Sequence, residues 1–224
     1  MKRLRVCVIL TLALLLVTAY AASANGSTNP RVLPPDARVY GLTLGEWSAS
    51  WWQALFAIPA AENPAMGAPW TDCYLQHIGN VGLGIAFFAE SGTFACEMPS
   101  GTVLVQPVVG TECSTVEAPP YYGGTPQELR ACATSVVKTN LQVTIDGVPV
   151  KNPSRYLVTS PLYFFTVPDD NVLGVPAGSG WSVSHGAFFM LAPLSPGQHT
   201  MHVHGEMPEY DFVYDWNYDI TVTP

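Results

Sequence analysis

The sequence predicts a mainly β protein, an antiparallel sandwich or jelly roll with two short helices near its N-terminal half, and three observations carry that expectation. Residues Tyr210 to Val222 alternate strictly, with Tyr210, Phe212, Tyr214, Trp216, Tyr218, Ile220 and Val222 on one face and Asp211, Asp215, Asn217, Asp219 and Thr221 on the other. A period of two is the signature of a half-buried strand. Short strand-like runs recur between turn residues in a chain that holds 20 prolines and 19 glycines in 224 residues, which favours packed antiparallel layers over an α/β fold. Helical spacing is confined to two short stretches.

Residues 1–24 read as an export signal. Lys2, Arg3 and Arg5 supply a basic start, Val6 to Thr18 an apolar stretch, and Ala22-Ser23-Ala24 a small-residue cleavage site before Asn25. The apolar run is too short for a stable membrane span, and no later stretch approaches about 20 apolar residues. The expectation is therefore an exported, extracytoplasmic chain with no membrane span after cleavage. Residues 25–42, rich in Asn, Pro, Gly and Ser, read as an extended arm, and residues 43–224 as a single β-sandwich domain.

The first helix is expected over Thr43 to Ile58. Thr43 and Glu46 have capping-box spacing, Trp47, Trp51, Leu55 and Ile58 share a face that Trp52 and Phe56 widen, and Pro59 marks the stop. Aromatic residues at helical spacing are the ordinary means of burying a large apolar area, and core packing is favoured over a sugar-stacking platform. Val81 to Phe88 and Thr102 to Val109 read as strands. Thr125-Pro126-Gln127-Glu128 then opens a second helix whose inner face carries Leu129, Cys132, Ala133 and Val136. From Asn140 the chain is strands and turns: Leu141 to Ile145, a tight Asp146-Gly147 turn into Val148 to Val150, Tyr156 to Thr159, Leu162 to Val167, Trp181 to Leu191, and a terminal hairpin turning at Met207-Pro208-Glu209.

Of the five cysteines, Cys7 lies inside the signal, which leaves Cys73, Cys96, Cys113 and Cys132, an even number suited to an oxidising compartment. Local loops favour Cys73 with Cys96 and Cys113 with Cys132, although spacing alone leaves the crossed pairings open. No CxxC pair is present, which argues against a zinc site or a thioredoxin-like centre. Charge narrows the partners. The chain has 9 Lys and Arg against 17 Asp and Glu, and no Lys or Arg follows Arg155. Nucleic acid is excluded as a partner because phosphate binding needs a basic surface, whereas cations and neutral ligands, carbohydrate among them, suit an acidic one.

Function is less legible than fold. Gly45-Glu46-Trp47 with Trp51-Trp52, Cys96-Glu97-Met98-Pro99-Ser100-Gly101, Ile145-Asp146-Gly147-Val148-Pro149-Val150 and Pro193-Leu194-Ser195-Pro196-Gly197-Gln198-His199-Thr200 together resemble segments of a group of uncharacterised secreted bacterial proteins, over about residues 40–222. The resemblance implies an extracytoplasmic, mainly β protein and transfers no activity. His202, His204 and Glu209 also resemble the HxH, x4, E part of the first cupin motif. Alternate strand residues project together, so His202 and His204 reach one divalent metal ion, with Glu206 or Glu209 and His185 as candidates for the rest of the shell. Register decides what that means. If Glu206 pairs with Tyr210, His202 faces Tyr214 and His204 faces Phe212 in an aromatic pocket; a one-residue slip puts both among Asp211, Asp215 and solvent.

No catalytic constellation is specific, since Ser184-His185 lacks a GxSxG elbow and no Gly-rich phosphate loop follows a strand. The sequence therefore favours a non-catalytic extracellular binding or structural role, with Tyr121, Tyr122 and Trp181 as candidates for stacking on sugar rings. The alternative is a cupin-like metal-dependent enzyme built on the terminal hairpin.

Overall fold

A computed structural model describes residues 30–67, 73–85, 91–136, 140–208 and 211–224. The export signal, Asn25 and Glu209 lie outside the described residues. In chain order the elements begin with β1 (Arg38–Val39), β2 (Leu42–Thr43), α1 (Leu44–Phe56), β3 (Tyr74–Ile78), β4 (Val81–Gly84), β5 (Ser91–Pro99) and β6 (Val103–Ser114). They continue with α2 (Pro126–Val136), β7 (Asn140–Ile145), β8 (Val148–Pro149), β9 (Leu157–Thr159), β10 (Tyr163–Val167), β11 (Gly178–Leu191), β12 (Gly197–Met207) and β13 (Phe212–Thr223).

The strands form two main sheets. One is six-stranded, in the order β10-β11-β6-β4-β3 with β9 also paired to β11, and the other five-stranded, in the order β5-β13-β12-β7-β8. The mainly β expectation is met, with one refinement: β4 pairs β6, and β13 pairs β5, in parallel. The sheets share one core. Val143, Ile145, Met201, Val203, Tyr214, Trp216, Tyr218, Ile220 and Val222 from the five-stranded sheet are buried with Val81, Leu83, Leu104, Val105, Phe189 and Leu191 from the six-stranded one. Gln106 bridges the layers, its Nε2 donating to the Tyr218 hydroxyl at 3.3 Å and to the Ile85 carbonyl at 3.0 Å.

Helix α1 starts as its sequence dictates. The Thr43 hydroxyl accepts from the Glu46 amide at 3.3 Å, and Glu46 Oε2 accepts from the Thr43 amide at 2.7 Å, so two otherwise orphaned donors are satisfied. Those hydrogen bonds from Thr43 hold the Glu46 carboxyl below its ordinary pKa. The helix ends at Phe56, two residues before the expected stop. Its aromatic face is packed in the core, as favoured, with Trp47 and Trp51 each 2% exposed. Trp51 meets Phe188 edge-on at 5.9 Å between ring centroids, and its Nε1 donates to the Gly84 carbonyl at 2.6 Å.

Helix α2 makes a smaller core of its own, where Leu129 and Ala133 cover Cys113 and Val183. Its cap differs slightly from the expected box: Thr125 Oγ1 accepts from the Glu128 amide at 3.2 Å, while the Glu128 carboxylate turns to the Gly124 amide at 2.9 Å. Both expected disulfides are present, with Cα–Cα distances of 5.3 Å for Cys73–Cys96 and 6.0 Å for Cys113–Cys132. The first ties the start of β3 to β5 and so joins the two sheets; the second ties β6 to α2.

The terminal hairpin is longer and differently registered than the expected turn required. Strand β12 runs on through Met207, and Glu206 pairs with Val213, His204 with Asp215 and His202 with Asn217. Of the two environments that the sequence leaves open, the histidines thus take the one beside Asp215 and solvent, and not the aromatic pocket that a pairing of Glu206 with Tyr210 would give. Matching buried to buried decides the register: Met201, Val203 and Gly205 lie opposite Tyr218, Trp216 and Tyr214, so the histidines must share the other face with Asp215. Residues 30–42 also contribute to the fold, since Val32 bridges Leu191 and the Leu33 amide donates to the Met190 carbonyl at 2.8 Å.

Removing the indole that joins α1 to the sheet should be severe. Trp51→Ala should lower the unfolding free energy by about 3–5 kcal/mol in urea titrations, and a loss below about 1 kcal/mol would show that the site repacks freely. Non-reducing peptide maps should show Cys73 with Cys96 and Cys113 with Cys132. Replacing the second pair by alanines should cost about 3 kcal/mol through the loop it releases.

Candidate functional site

The residues expected to bind a metal divide between two places. His202 and His204 share the outer face of β12, with side chains 38% and 30% exposed. Both contact Asp215 across the hairpin, His202 Nε2 to Oδ1 at 3.0 Å and His204 Nδ1 to Oδ2 at 3.0 Å, while Glu206 Oε1 lies 3.8 Å from His204 Nε2. Burial works against ionisation of Asp215, but the bonds from the two imidazoles outweigh it and its pKa is lowered. His185 is elsewhere. It belongs to β11 in the six-stranded sheet, where Nδ1 meets Thr159 Oγ1 at 2.9 Å and burial lowers its pKa. The enclosed, cupin-like version of the site is not the one formed, because the histidines face Asp215 rather than the aromatic side of β13. Among the described residues no group of three or more His, Cys, Asp or Glu is placed to hold a metal ion.

The more substantial feature is a cleft of about 630 Å³ between α1, the centre of β6 and the far end of the β12–β13 hairpin. Trp51, Trp52, Phe188, Tyr214 and Trp216 form much of its wall, and Met66 and Tyr121, both exposed, stand among the residues that line it. Gly205 helps to shape it. A Cβ there would come within 2.0 Å of the Tyr214 ring, so only glycine lets that ring lie across the neighbouring strand.

Two acids complete the lining, Glu112 at the end of β6 and Glu117 just beyond it. Alternation sends Cys113 and Val183 towards α2, while Glu112, Ser182 and Ser184 turn towards α1, where the Ser184 hydroxyl meets that of Ser48 at 3.5 Å. Glu112 is only 5% exposed. Its Oε2 accepts a short hydrogen bond from the Ser182 hydroxyl, its carboxyl is within hydrogen-bonding reach of Glu117, and Ser114 Oγ donates to Glu117 Oε2 at 2.8 Å. Burial, then the hydrogen bond and negative charge of Glu117, push the Glu112 pKa well up, against the opposing bond from Ser182. Tyr163 lies beside them, its pKa raised well above normal by burial and then by the charge of Glu112. The hydroxyls of Ser182 and Ser184 hydrogen-bond to it and oppose that shift, whereas the buried indole Nε1 of Trp52 in the cleft wall has no partner among the described residues.

Sequence reasoning passed over Glu112. Its signal was an acid inside the strand run Val103 to Ser114, next to a cysteine bound for burial. The motif segments, by contrast, build scaffold. Asp146 and Gly147 both take positive φ, 50° and 72°, in the tight turn between β7 and β8. Asp146 reaches across to accept from the Thr200 amide at 2.9 Å and to meet His199 Nδ1 at 2.8 Å, which raises the His199 pKa. The two segments thus lock one another. Of the candidate stacking residues, Tyr121 lines the cleft, Tyr122 is exposed, and Trp181 is exposed on β11 with Phe164 edge-on at 5.3 Å.

Fold and site together define a mainly β protein with two disulfides and an aromatic cleft containing an acid pair. No family model and no curated protein matches the sequence. Among solved structures, a chain of the PbICP-C complex with falcipain-2 aligns at 10% identity and a TM-score of 0.27, covering 65% of this chain and 100% of that one. Amebosin aligns at 11% identity and a TM-score of 0.22, covering 59% and 96% respectively.

The acid pair leaves a mark on stability. A carboxyl whose folded pKa is raised favours the folded state most at pH values where it is protonated, and that contribution is lost as pH rises from the unfolded value towards the folded one. The unfolding free energy should therefore fall with rising pH above about 4.3, and Glu112→Gln should flatten that part of the profile. Parallel profiles for the two proteins would show that Glu112 ionises normally.

Proposed function

We propose that this is an exported, non-catalytic binding protein whose ligand occupies the aromatic cleft. The observation that carries the reading is the cleft itself: about 630 Å³, walled by aromatic rings, with a few polar groups gathered at one place. That volume and composition are those of a small-molecule site rather than a packing defect. The two disulfides and the export signal at residues 1–24 support a place outside the cytoplasm.

The walls indicate the ligand class. Aromatic faces accept a flat ring or the C–H face of a sugar. The described residues that line the cleft include Glu112 and Glu117 but no Lys, Arg or His, so a neutral or cationic ligand is accommodated and an anionic one is repelled. The donor without a partner among the described residues, Trp52 Nε1, is available to an oxygen-bearing ligand, on modest local rearrangement.

Three indoles of nearly equal size test this by calorimetry. Tryptophol, which is neutral, and tryptamine, which is cationic, should bind with 1:1 stoichiometry, and indole-3-acetate should not. Ala65→Trp, which fills the cleft from its rim, should reduce binding at least about ten-fold while leaving the fold intact by circular dichroism, as expected if about 1.4 kcal/mol of contact is lost. Failure of all three to bind, or equal binding by the filled variant, would overturn the reading.

A further inference from the structure

We infer that the cleft recognises an organic ammonium ion, with the cationic nitrogen seated against the Glu112–Glu117 pair and the carbon skeleton against the aromatic wall. The inference rests on the binding role proposed above and adds the charge of the ligand.

Four observations converge on it. First, Glu112 is 5% exposed and is held by the Ser182 hydroxyl, while Glu117 is held by Ser114 Oγ at 2.8 Å. The two carboxyls are therefore fixed at one point of the cleft wall instead of sweeping through solvent. Second, no cation answers them. The described residues lining the cleft include no Lys, Arg or His, and the groups that act on Glu112 are the hydroxyl of Ser182 and the carboxyl of Glu117, with Tyr163 nearby. Two carboxyls in contact repel one another when both are charged, which together with burial favours a proton on Glu112 in the empty protein. Third, the remaining walls are those that attract cations. Trp51, Trp52, Tyr214 and Trp216 present aromatic rings to the same space, and ring faces attract an ammonium most strongly where water is excluded. Fourth, the Trp52 indole in the same wall is 8% exposed and its Nε1 has no hydrogen-bond partner among the described residues, a buried polar group left unsatisfied beside the open volume.

The exchange is balanced. A primary ammonium brings one positive charge and three donors to the pair; the proton on Glu112 leaves for solvent; both carboxylates are then ionised and opposed by the ligand's charge. A neutral ligand of the same shape leaves the proton in place. Binding of the cation therefore releases a proton and strengthens as pH rises through the range in which the pair holds one, while binding of the neutral ligand is insensitive to pH.

Calorimetry with tryptamine and tryptophol at about pH 8, where the ligand amine is still charged, separates the two claims. Tryptamine should bind at least ten-fold more tightly than tryptophol, with an enthalpy that depends on the ionisation enthalpy of the buffer. Glu117→Gln, which preserves the hydrogen bond from Ser114 at a half-buried position, should bring the two affinities within two-fold and abolish the buffer dependence. Equal affinities for the two ligands in the wild type, or a preference for tryptamine that survives Glu117→Gln, would overturn the ammonium inference while leaving the cleft a binding site. Absence of binding by either ligand would overturn both.

Discussion

The structure depends on the contact between the aromatic stripe of α1 and the six-stranded sheet. Trp51 is central to it, with Phe188 and Trp52 against its ring and the Gly84 carbonyl on its nitrogen. A large ring anchored by a hydrogen bond fixes both the distance and the rotation of the helix over the strands. The space left between that fixed helix and the β12–β13 hairpin is the cleft, so one packing decision creates the core and the site together. Trp51 and Trp52 consequently serve twice, as buried core side chains and as part of the lining of the cleft.

Much of the architecture was legible because it is encoded locally. The Thr43 and Glu46 spacing gives the α1 cap, the Thr125-Pro126 start gives α2, and Asp146-Gly147 gives the turn between β7 and β8. Cysteine pairing was legible for the same reason, since each bond closes a short loop. What escaped was relational. A period-two pattern states which face a residue occupies and leaves open its partner in the neighbouring strand, so the environment of His202 and His204 could not be read until Met201 and Val203 were matched with Tyr218 and Trp216. Parallel pairing of β5 with β13 leaves no local trace at all. Glu112 and Glu117 escaped because their association depends on the chain folding back beyond Ser114, and two acids five positions apart match no familiar motif.

Electrostatically the protein separates two kinds of carboxylate. Asp215 has two imidazole partners that favour its charge, and the local balance is held at the surface. Glu112 has hydroxyls, rings and another acid, an arrangement that favours the proton and places it beside open volume. Stabilising structure and poised chemistry thus occupy different layers. The motif segments belong with the former: Glu46 caps, Asp146 clamps the Thr200 backbone, and His199 closes a loop onto the Ser195 carbonyl at 2.9 Å.

The position of β13 governs the order in which the molecule can be assembled. It lies between β5 and β12, and among the described residues β5 has no other strand beside it. As synthesis proceeds, β5 emerges early but must wait for residues 212–223 before its backbone groups find their hydrogen-bonding partners. Pairing over so long a stretch of chain carries a large loop-closure cost before any contact rewards it, which makes such topologies slow to fold. Until residues 212–223 are in place, the β5 edge is open to mispairing with other chains.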